Sequence, residues 1–303
     1  MLLDGVRVLD LSRLLPGGYC TQLLQAQGAE VTKIEPPAGD PIRALPGGDA
    51  YFDALHRGKQ LLTLDLRTED GRDALRRRIV DSDVLVEGFR PGVMERMELG
   101  YAALATINPK LIYCAITGYG SGGPMAHRAG HDLNYLARSG SLSLMPLRDG
   151  VPTIPGLQVA DMAGGLEAAF AIAAGLVALA RTGRGSRVEV SMTDLMRSWT
   201  ALPRAARRAA LPGLPLTGEL PCYHVYAVAD GFLTVAALER DFWVAFCQVI
   251  EREDLKDRQF DPAAIEALQS TLGRATRAEW AARFGDQDVC VEPVLRLEES
   301  EAD

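Results

Sequence analysis

The sequence predicts an α/β fold in which helices cover a parallel β-sheet. The segment "VRVLDLSRLLPGGYCTQLLQAQGAEVTKIE" at 6–35 has the pattern of a buried strand, a glycine-containing turn, a helix and a second strand. Two strands that a helix joins in this way lie parallel, with a right-handed crossover. The alternation continues in "DALRRRIVDSDVLVEGF", a helix followed by a strand, and in "LIYCAITGYG" at 111–120, a strand that ends in glycines.

Local signals predict the remaining elements of this sheet domain. Pro16-Gly17-Gly18 is expected to turn the chain into the first helix, which ends at Gly28. The run "GGLEAAFAIAAGLVALAR" is apolar on every face, so we expect a helix that is buried in a large core. The strand "SRVEVSM" follows it.

A smaller α+β domain is predicted beyond a run rich in proline and glycine at 211–221. "YHVYAVADGFLTVAAL" predicts a hairpin around Asp230-Gly231, a dipeptide favoured in tight turns. Helices are expected at roughly 240–252, 262–272 and 276–284. The predicted domains are therefore a large one at 1–210 and a small one at 221–303.

Composition excludes several classes of partner. The chain has 303 residues, of which 48% are hydrophobic and 24% charged, enough for a sizeable core. The net charge of −8 argues against nucleic acid or an anionic membrane as the main partner. The most apolar run, "AAFAIAAGLVALA", is shorter than the roughly 20 residues that span a bilayer. The charged N-terminus does not match a signal peptide. We therefore expect a soluble protein.

Neither a metal nor a nicotinamide cofactor is expected. The five cysteines are scattered and lack CxxC spacing, which is typical of reduced, mostly buried thiols in a cytoplasmic protein without a metal cluster. "GYGSGG" at 118–123 matches the glycine pattern of dinucleotide loops. However, Pro124 follows it, no helical pattern opens at once, and no acid lies about 20 residues further on.

Three residues are candidates for catalysis. His131 lies in "HRAGHDLNYLARSG" at 127–140, in a chain with only four histidines. Asp161 comes directly before the apolar helix, either as an N-terminal cap or as a general base or nucleophile that the helix end tunes. Gly164-Gly165 beside it would let backbone or ligand approach closely. Glu239 ends an apolar strand, either as a solvated strand end or as a carboxylate that faces a cleft.

Six ordered blocks of the sequence resemble the family III CoA-transferases, the CaiB/BaiF family. The blocks are the opening segment through "KIEPP", "GKQLLTLDLR", "DVLVEGFRPGVMERMELGY", "LIYCAITGYGSGGP", "AGHDLNYLARSG" and "VADMAGG". The resemblance continues through "DVCVEPV" at 288–294, and so covers nearly the whole chain. Within the family, "GHDLNY" and "AALERDFW" are most similar to the 2-methylacyl-CoA racemases.

The resemblance implies a Rossmann-like large domain, a small domain and a homodimer of interlocked chains that acts on acyl-CoA thioesters with no further cofactor. His131 and Asp161 match the racemase acid/base pair, and Glu239 matches the carboxylate that supports the histidine. The residues that match CoA-contacting segments are Leu64, Asp65, Leu66 and Arg67, together with Gly130, Asp132, Leu133, Asn134 and Tyr135. Family members generally continue further, so the resemblance also implies that a C-terminal segment is missing after Asp303.

Three functions are compatible with these residues. A racemase needs one base on each face of the α-carbon, which a histidine and an aspartate supply. A CoA-transferase uses Asp161 as a covalent nucleophile and needs no histidine. The third function is the binding of a CoA thioester without catalysis. The presence of His131 favours the racemase. Candidates for contacts with the CoA phosphates are Lys33, "HRGK" at 56–59, Arg67, Arg90 and Arg128.

Overall fold

The chain divides into two compact units, Met1–Ala201 and Leu202–Asp303. The structure is a computed structural model, and it describes residues 1–211 and 216–300. Residues 212–215, within the run predicted as a domain boundary, lie outside the described residues.

A six-stranded parallel sheet forms the centre of the first unit, as the sequence predicts. Its strands follow the order β3-β2-β1-β4-β5-β8 across the sheet, and every neighbouring pair is parallel. The strands are β1 (Arg7–Asp10), β2 (Glu30–Glu35), β3 (Gln60–Thr63), β4 (Val84–Glu87), β5 (Ile112–Thr117) and β8 (Ser186–Ser191). A separate two-stranded ribbon consists of β6 (Leu147–Arg148) and β7 (Val151–Pro152).

Helices cover both faces of this sheet, so β4 and β5 are buried along their whole length. The helices are α1 (Leu14–Ala26), α2 (Gly48–His56), α3 (Glu69–Ile79), α4 (Val93–Arg96), α5 (Tyr101–Ile107), α6 (Asp132–Ser139), α7 (Val159–Thr182) and α8 (Met192–Trp199). Helix α9 (Ala201–Arg208) begins at the boundary between the units. The chain therefore has the α/β architecture that the repeated strand–helix pattern predicts.

Two expectations about the helix ends are wrong. Helix α1 already begins at Leu14, so Pro16-Gly17-Gly18 lies within the helix rather than before it. Helix α7 begins at Val159, with Gln158 as its N-cap, so Asp161 lies inside the first turn and is not the cap. A proline is compatible with a first turn because its missing amide has no acceptor there.

Helix α7 is not buried on every face. Except for Ile172, its buried residues are alanines and glycines, and α1 approaches closely: a Cβ added to Gly165 would lie 2.5 Å from the carbonyl oxygen of Pro16. Its large side chains Leu166, Phe170 and Val177 are exposed instead.

Helix α7 has 24 residues. Within the described part of the chain, it is long and apolar enough to span a membrane by length and composition alone. The core helices of soluble proteins meet the same criterion.

Beyond α9, the described part of the second unit has an antiparallel sheet with the order β11-β10-β9 and the α-helices α10, α11 and α12. Its elements are β9 (Tyr223–Val228), β10 (Gly231–Ala236), α10 (Arg240–Val249), α11 (Ile265–Leu272), α12 (Arg277–Phe284) and β11 (Val291–Pro293). Because Gly231 pairs with Val228, the hairpin turn is Ala229-Asp230, one residue earlier than predicted. Trp243, Phe246 and Trp280 fill a core of its own.

Candidate active site

Two adjoining cavities lie at the carboxyl ends of the parallel strands of the first unit. Strands β1 and β4 are neighbours at the centre of the sheet, where the strand order reverses, and such a point is where open α/β sheets bind ligands. The larger cavity has a volume of about 810 Å³ and the smaller one about 330 Å³. Ser12, Arg13, Pro41 and the segment 88–90 line both. The two cavities therefore share a wall at the switch point of the sheet.

The smaller cavity contains both residues of the predicted acid/base pair. His131 and Asp161 line it, although 30 residues separate them in the sequence (161 − 131 = 30). His131 is exposed and is the N-cap residue of α6, where its amide donates to Oδ1 of Asn134 at 3.0 Å. The short loop before α6 thus holds the histidine at the start of a helix, facing the cavity that contains the aspartate.

Asp161 is partly buried in the first turn of α7. Burial raises the pKa of Asp161 to about 7, and the nearby charge of Asp132 acts in the same direction. A carboxyl group with a pKa near neutrality exchanges a proton readily at physiological pH, which is the property that a general acid or base needs.

Asp132 connects the two helices that carry the pair. Only 9% of its surface is exposed, and its Oδ1 accepts the amides of Ala160 at 2.6 Å and Asp161 at 3.1 Å. The first residue of α6 therefore satisfies free amides at the start of α7. Sequence analysis grouped Asp132 with the CoA contacts. In the structure it does not line either cavity, and its hydrogen bonds link the helix start that carries His131 to the one that carries Asp161.

The other residues of the "GHDLNY" segment divide between the cavity and its support. Gly130 and Tyr135 line the smaller cavity, whereas Leu133 and Asn134 line neither cavity. The hydroxyl of Tyr135 donates to the carbonyl oxygen of Gly130, and its ring packs edge-on against Tyr119 at 5.2 Å between centroids. A Cβ on Gly130 would lie 2.6 Å from the Tyr119 hydroxyl, so this position requires glycine.

The larger cavity contains the other predicted CoA segment. Leu64, Asp65, Leu66 and Arg67 line it directly after β3, and Arg90 lines both cavities. Arg67 and Asp65 form a two-point ion pair, with Nε–Oδ1 at 2.8 Å and Nη2–Oδ2 at 2.9 Å. Sequence analysis missed Arg13 and Arg96, which also line this cavity. Arg13 comes three residues after the last residue of β1, so its place just beyond the carboxyl end of that strand was a signal that could have identified it.

A buried carboxyl group holds the turn that carries Arg90. Glu87 ends β4, is 6% exposed, and accepts the amide of Phe89 at 2.7 Å. Burial raises the pKa of Glu87 to about 7, against the hydrogen bonds from Phe89 and from the Tyr113 hydroxyl. No feature of the sequence separates this residue from an ordinary strand-end glutamate.

Two of the predicted phosphate contacts are wrong, because Lys33 and Lys59 are buried in an ion-pair network. Lys33 is 3.0 Å from Asp40 and 3.9 Å from Asp10, and Lys59 is 3.7 Å from Asp10. His56, in the same "HRGK" segment, is also buried. Its burial is the main reason that the pKa of His56 is lowered to about 3, and the positive charge of Lys59 lowers it further.

Asp10 is the centre of this network. Burial alone would raise the pKa of Asp10, but Lys33, Lys59 and hydrogen bonds from Ser12 and Thr21 together lower it. This network supports the wall that the cavities share, and the buried ammonium groups of Lys33 and Lys59 are not available to a ligand.

Glu239 belongs to the second unit. It is exposed there, lies two residues beyond the end of β10, and is the N-cap residue of α10.

Among the described residues, no group of three or more His, Cys, Asp or Glu side chains has an arrangement that could hold a metal ion. Four of the five cysteines are buried and Cys290 is exposed.

These features define a doubly wound α/β protein with a cleft at its switch point, in which a histidine and an aspartate lie next to a long arginine-lined cavity. The chain belongs to CoA-transferase family III, whose family description matches residues 3–303.

Its relatives include enzymes of two kinds. The chain is 36% identical to the alpha-methylacyl-CoA racemase of Mus musculus over 99% of its own length and 79% of that protein. It is also 36% identical to the succinyl-CoA:mesaconate CoA-transferase of Haloarcula marismortui, over 92% and 74% respectively. The crystal structure of a CaiB/BaiF family protein from Brucella suis superimposes with a TM-score of 0.86 at 31% identity, covering 99% of this chain and 86% of the other.

Proposed function

We propose that the protein is an isomerase that inverts the α-carbon of a 2-methylacyl-CoA thioester by two-base proton transfer. The observation that carries the proposal is that His131 and Asp161 line one small cavity, next to a larger cavity that can receive the CoA portion. The similarity to alpha-methylacyl-CoA racemases supports it.

The chemistry requires these residue types. The thioester carbonyl stabilises an enolate, so its α-proton is acidic enough to be removed without a cofactor. Inversion then needs one group that removes the proton and another that returns a proton to the opposite face. His131 and Asp161 have different surroundings, one exposed and one partly buried, which allows one to be protonated while the other is not.

The larger cavity fits the CoA portion of the substrate. Arg13, Arg90 and Arg96 line it, and within the described residues none of the three forms an ion pair. Unpaired guanidinium groups bind phosphate oxygens strongly. We also infer from the family that Glu239 supports the histidine and that the protein is a cytoplasmic homodimer.

A proton-exchange experiment tests the proposal. Each enantiomer of a 2-methylacyl-CoA is incubated with the protein in deuterated water, and proton NMR follows the α-proton signal. We expect deuterium at the α-carbon and convergence of both enantiomers to a racemic mixture. Absence of both, with protein that transfers CoA to a free acid, would refute the isomerase.

A CoA-transferase is the second candidate, because Asp161 lies in the cavity and relatives of that activity are equally similar. In this reaction the Asp161 carboxylate attacks the thioester carbonyl and CoA leaves as a thiolate, which gives a mixed anhydride. The thiolate then attacks the aspartyl carbonyl, which releases the first acid and leaves an aspartyl-CoA thioester for the second acid. Hydroxylamine would inactivate such an enzyme only when acyl-CoA is present.

A further inference from the structure

The two strands beside the switch point of the sheet end in the same way. Asp10, the last residue of β1, accepts the amide of Ser12 at 2.9 Å. Glu87, the last residue of β4, accepts the amide of Phe89 at 2.7 Å. Each acid thus holds the backbone two residues further along the chain. The turns that follow the two strands form the wall that both cavities share.

The turn that Glu87 holds is connected to two arginines of this wall. Arg90 directly follows Phe89 in the sequence, and the guanidinium of Arg13 lies over the Phe89 ring at 4.7 Å. Both arginines line the two cavities, and neither forms an ion pair within the described residues. A displacement of Phe89 would therefore move both groups that are available to an anionic ligand.

The two acids differ in how their charge is neutralised. Burial acts to raise the pKa of Asp10, but Lys33 and Lys59, at 3.9 and 3.7 Å, and two hydroxyl hydrogen bonds together lower it. Glu87 forms no ion pair with any residue that the structure describes, and burial raises the pKa of Glu87 to about 7. Asp10 is therefore ionised at physiological pH, whereas Glu87 changes its charge there.

Titratable side chains from the neighbouring elements surround Glu87. They are Tyr113 and Cys114 of β5, Glu95 of α4, His127 of the loop before α6 and Arg187 of β8. Besides burial, the charge of Glu95 raises the pKa of Glu87, while hydrogen bonds from the Phe89 amide and the Tyr113 hydroxyl and the charge of Arg187 lower it. Arg187 is itself paired with Glu189 at 3.2 Å. Glu87 lines a side cavity of about 280 Å³, through which its carboxyl group can exchange a proton.

We propose that Glu87 is a positioning residue of the CoA site, whose ionised carboxylate holds the wall turn so that Arg13 and Arg90 are placed to bind the CoA phosphates. The inference rests on the proposed function for the location of CoA, and it applies to both candidate reactions. A carboxylate accepts an amide hydrogen bond about twice as strongly as a neutral carboxyl group does. Loss of the charge therefore loosens the turn, and the contribution of Glu87 to CoA affinity falls as the pH decreases through about 7.

Isosteric variants separate the charge of Glu87 from its shape. Titration calorimetry measures the dissociation constant of CoA at pH 6 and pH 8 for the wild type, Glu87→Gln, Glu87→Met and Glu95→Gln. Glutamine keeps an acceptor for the Phe89 amide without the charge, whereas methionine has neither. Glu95 is an exposed acid that lines the side cavity and neither of the other two, so Glu95→Gln is the matched control.

The four proteins are compared with one another at each pH, because the titration of CoA itself affects all of them alike. At pH 8 we expect Glu87→Gln to bind CoA about fivefold more weakly than the wild type, the difference between a charged and a neutral hydrogen-bond acceptor. At pH 6 the two should bind equally, because the side chain at 87 is then neutral in both. Glu87→Met should bind more weakly at both pH values, and Glu95→Gln should match the wild type at pH 8.

The contrary results are distinct. Equal binding by the wild type and Glu87→Gln at pH 8, or the same loss in Glu87→Gln at both pH values, would overturn the inference. Tighter binding by Glu87→Gln at pH 8 would overturn it too, because Glu87 would then act by repelling the phosphates. The expected pattern in a protein without proton exchange or CoA transfer would refute the proposed reaction and leave this inference standing. Proton exchange without the pattern would do the reverse.

Discussion

Oδ1 of Asp132 lies 3.1 Å from the amide nitrogen of Asp161, so the first residue of α6 caps the first turn of α7. This contact joins the two elements that carry the proposed acid/base pair. It also places a negative charge near the carboxyl group of Asp161, which contributes to its raised pKa. One side chain thus joins the two elements that carry the pair and adds to the effect of burial on the pKa of Asp161.

Replacing Asp132 separates these two roles. Asp132→Ala removes the cap, so we expect a loss of about 1–2 kcal/mol in stability and a large fall in kcat. Asp132→Asn keeps a hydrogen-bond acceptor and removes the charge, so stability should change little. In this variant the pKa of Asp161 should fall, and the limb of the pH–rate profile that reports Asp161 should move to lower pH. A pH–rate profile of Asp132→Asn that matches the wild type would contradict the electrostatic role, and equal stability of the two variants would contradict the capping role.

Asp161→Asn should stabilise the folded protein at neutral and higher pH. The pKa of Asp161 rises from 3.8 to about 7 on folding, so between these values the folded state holds a proton that the unfolded state has lost. The wild type therefore loses stability relative to the variant as the pH rises from about 4 to about 7. The difference reaches at most about 4 kcal/mol, less what solvent screening removes.

Urea unfolding of both proteins at pH 4.5 and pH 8 measures this effect. A stability difference that is the same at both pH values would show that Asp161 has an ordinary pKa in the folded protein.

His131→Ala distinguishes the two proposed reactions. If the protein is an isomerase, the variant should lose interconversion of the enantiomers, while exchange of the α-proton of one enantiomer persists through Asp161. If it is a CoA-transferase, His131→Ala should retain transfer and Asp161→Ala should lose it. NMR in deuterated water and an assay of CoA transfer, run on both variants, give the answer. Retention of full racemisation in His131→Ala would exclude the histidine as a base.

Local patterns in the sequence predicted the parallel sheet, whereas the resemblance to the CoA-transferase family paired His131 with Asp161. The role of Asp132 was not predictable in this way, because the amides it binds lie 28 and 29 residues further along the chain. Lys33 and Lys59 resembled surface cations for the same reason. Their partners Asp10 and Asp40 reach them only when β1 and β2 pair and the following loop folds back.

The outer face of α7 illustrates a different limit. An unbroken apolar composition predicted burial on all sides, but where α1 approaches closely the inner side has small residues such as Gly165. The large apolar residues consequently lie on the outer side, at Leu166, Phe170 and Val177. Hydrophobicity alone does not indicate which side of a helix meets its neighbour most closely.

Arg96 should contribute more to CoA affinity than Arg67. Both line the larger cavity, but the guanidinium of Arg67 already forms a two-point pair with Asp65, whereas Arg96 forms no ion pair within the described residues. We expect Arg96→Gln to weaken CoA binding about tenfold and Arg67→Gln about threefold or less. Calorimetry with CoA at two salt concentrations checks the order. Equal losses would mean that the pair with Asp65 opens when CoA binds.

Lys33 should be essential to stability although it contacts no ligand. It is 1% exposed and lies between Asp40 and Asp10, so Lys33→Met leaves a buried carboxylate without its partner. Breaking a buried pair on one side costs about 3–5 kcal/mol, whereas removing both partners costs less. Lys33→Met should therefore be much less stable than the wild type. The double variant Lys33→Met/Asp40→Asn should recover part of the loss, because Asn can still accept the amides of Leu14 and Ile42 that Asp40 binds.

Urea unfolding of the two single variants, the double variant and the exposed-site control Lys110→Met completes this thermodynamic cycle. The control should differ from the wild type by less than about 0.5 kcal/mol. A stability of Lys33→Met equal to that of Lys110→Met would show that the network does not stabilise the fold. A double variant no more stable than Lys33→Met would show that Asp40 is not the partner that Lys33 neutralises. In that case the remaining neighbour, Asp10, would carry the cost of the lost charge, because it lies 3.9 Å from the same ammonium group.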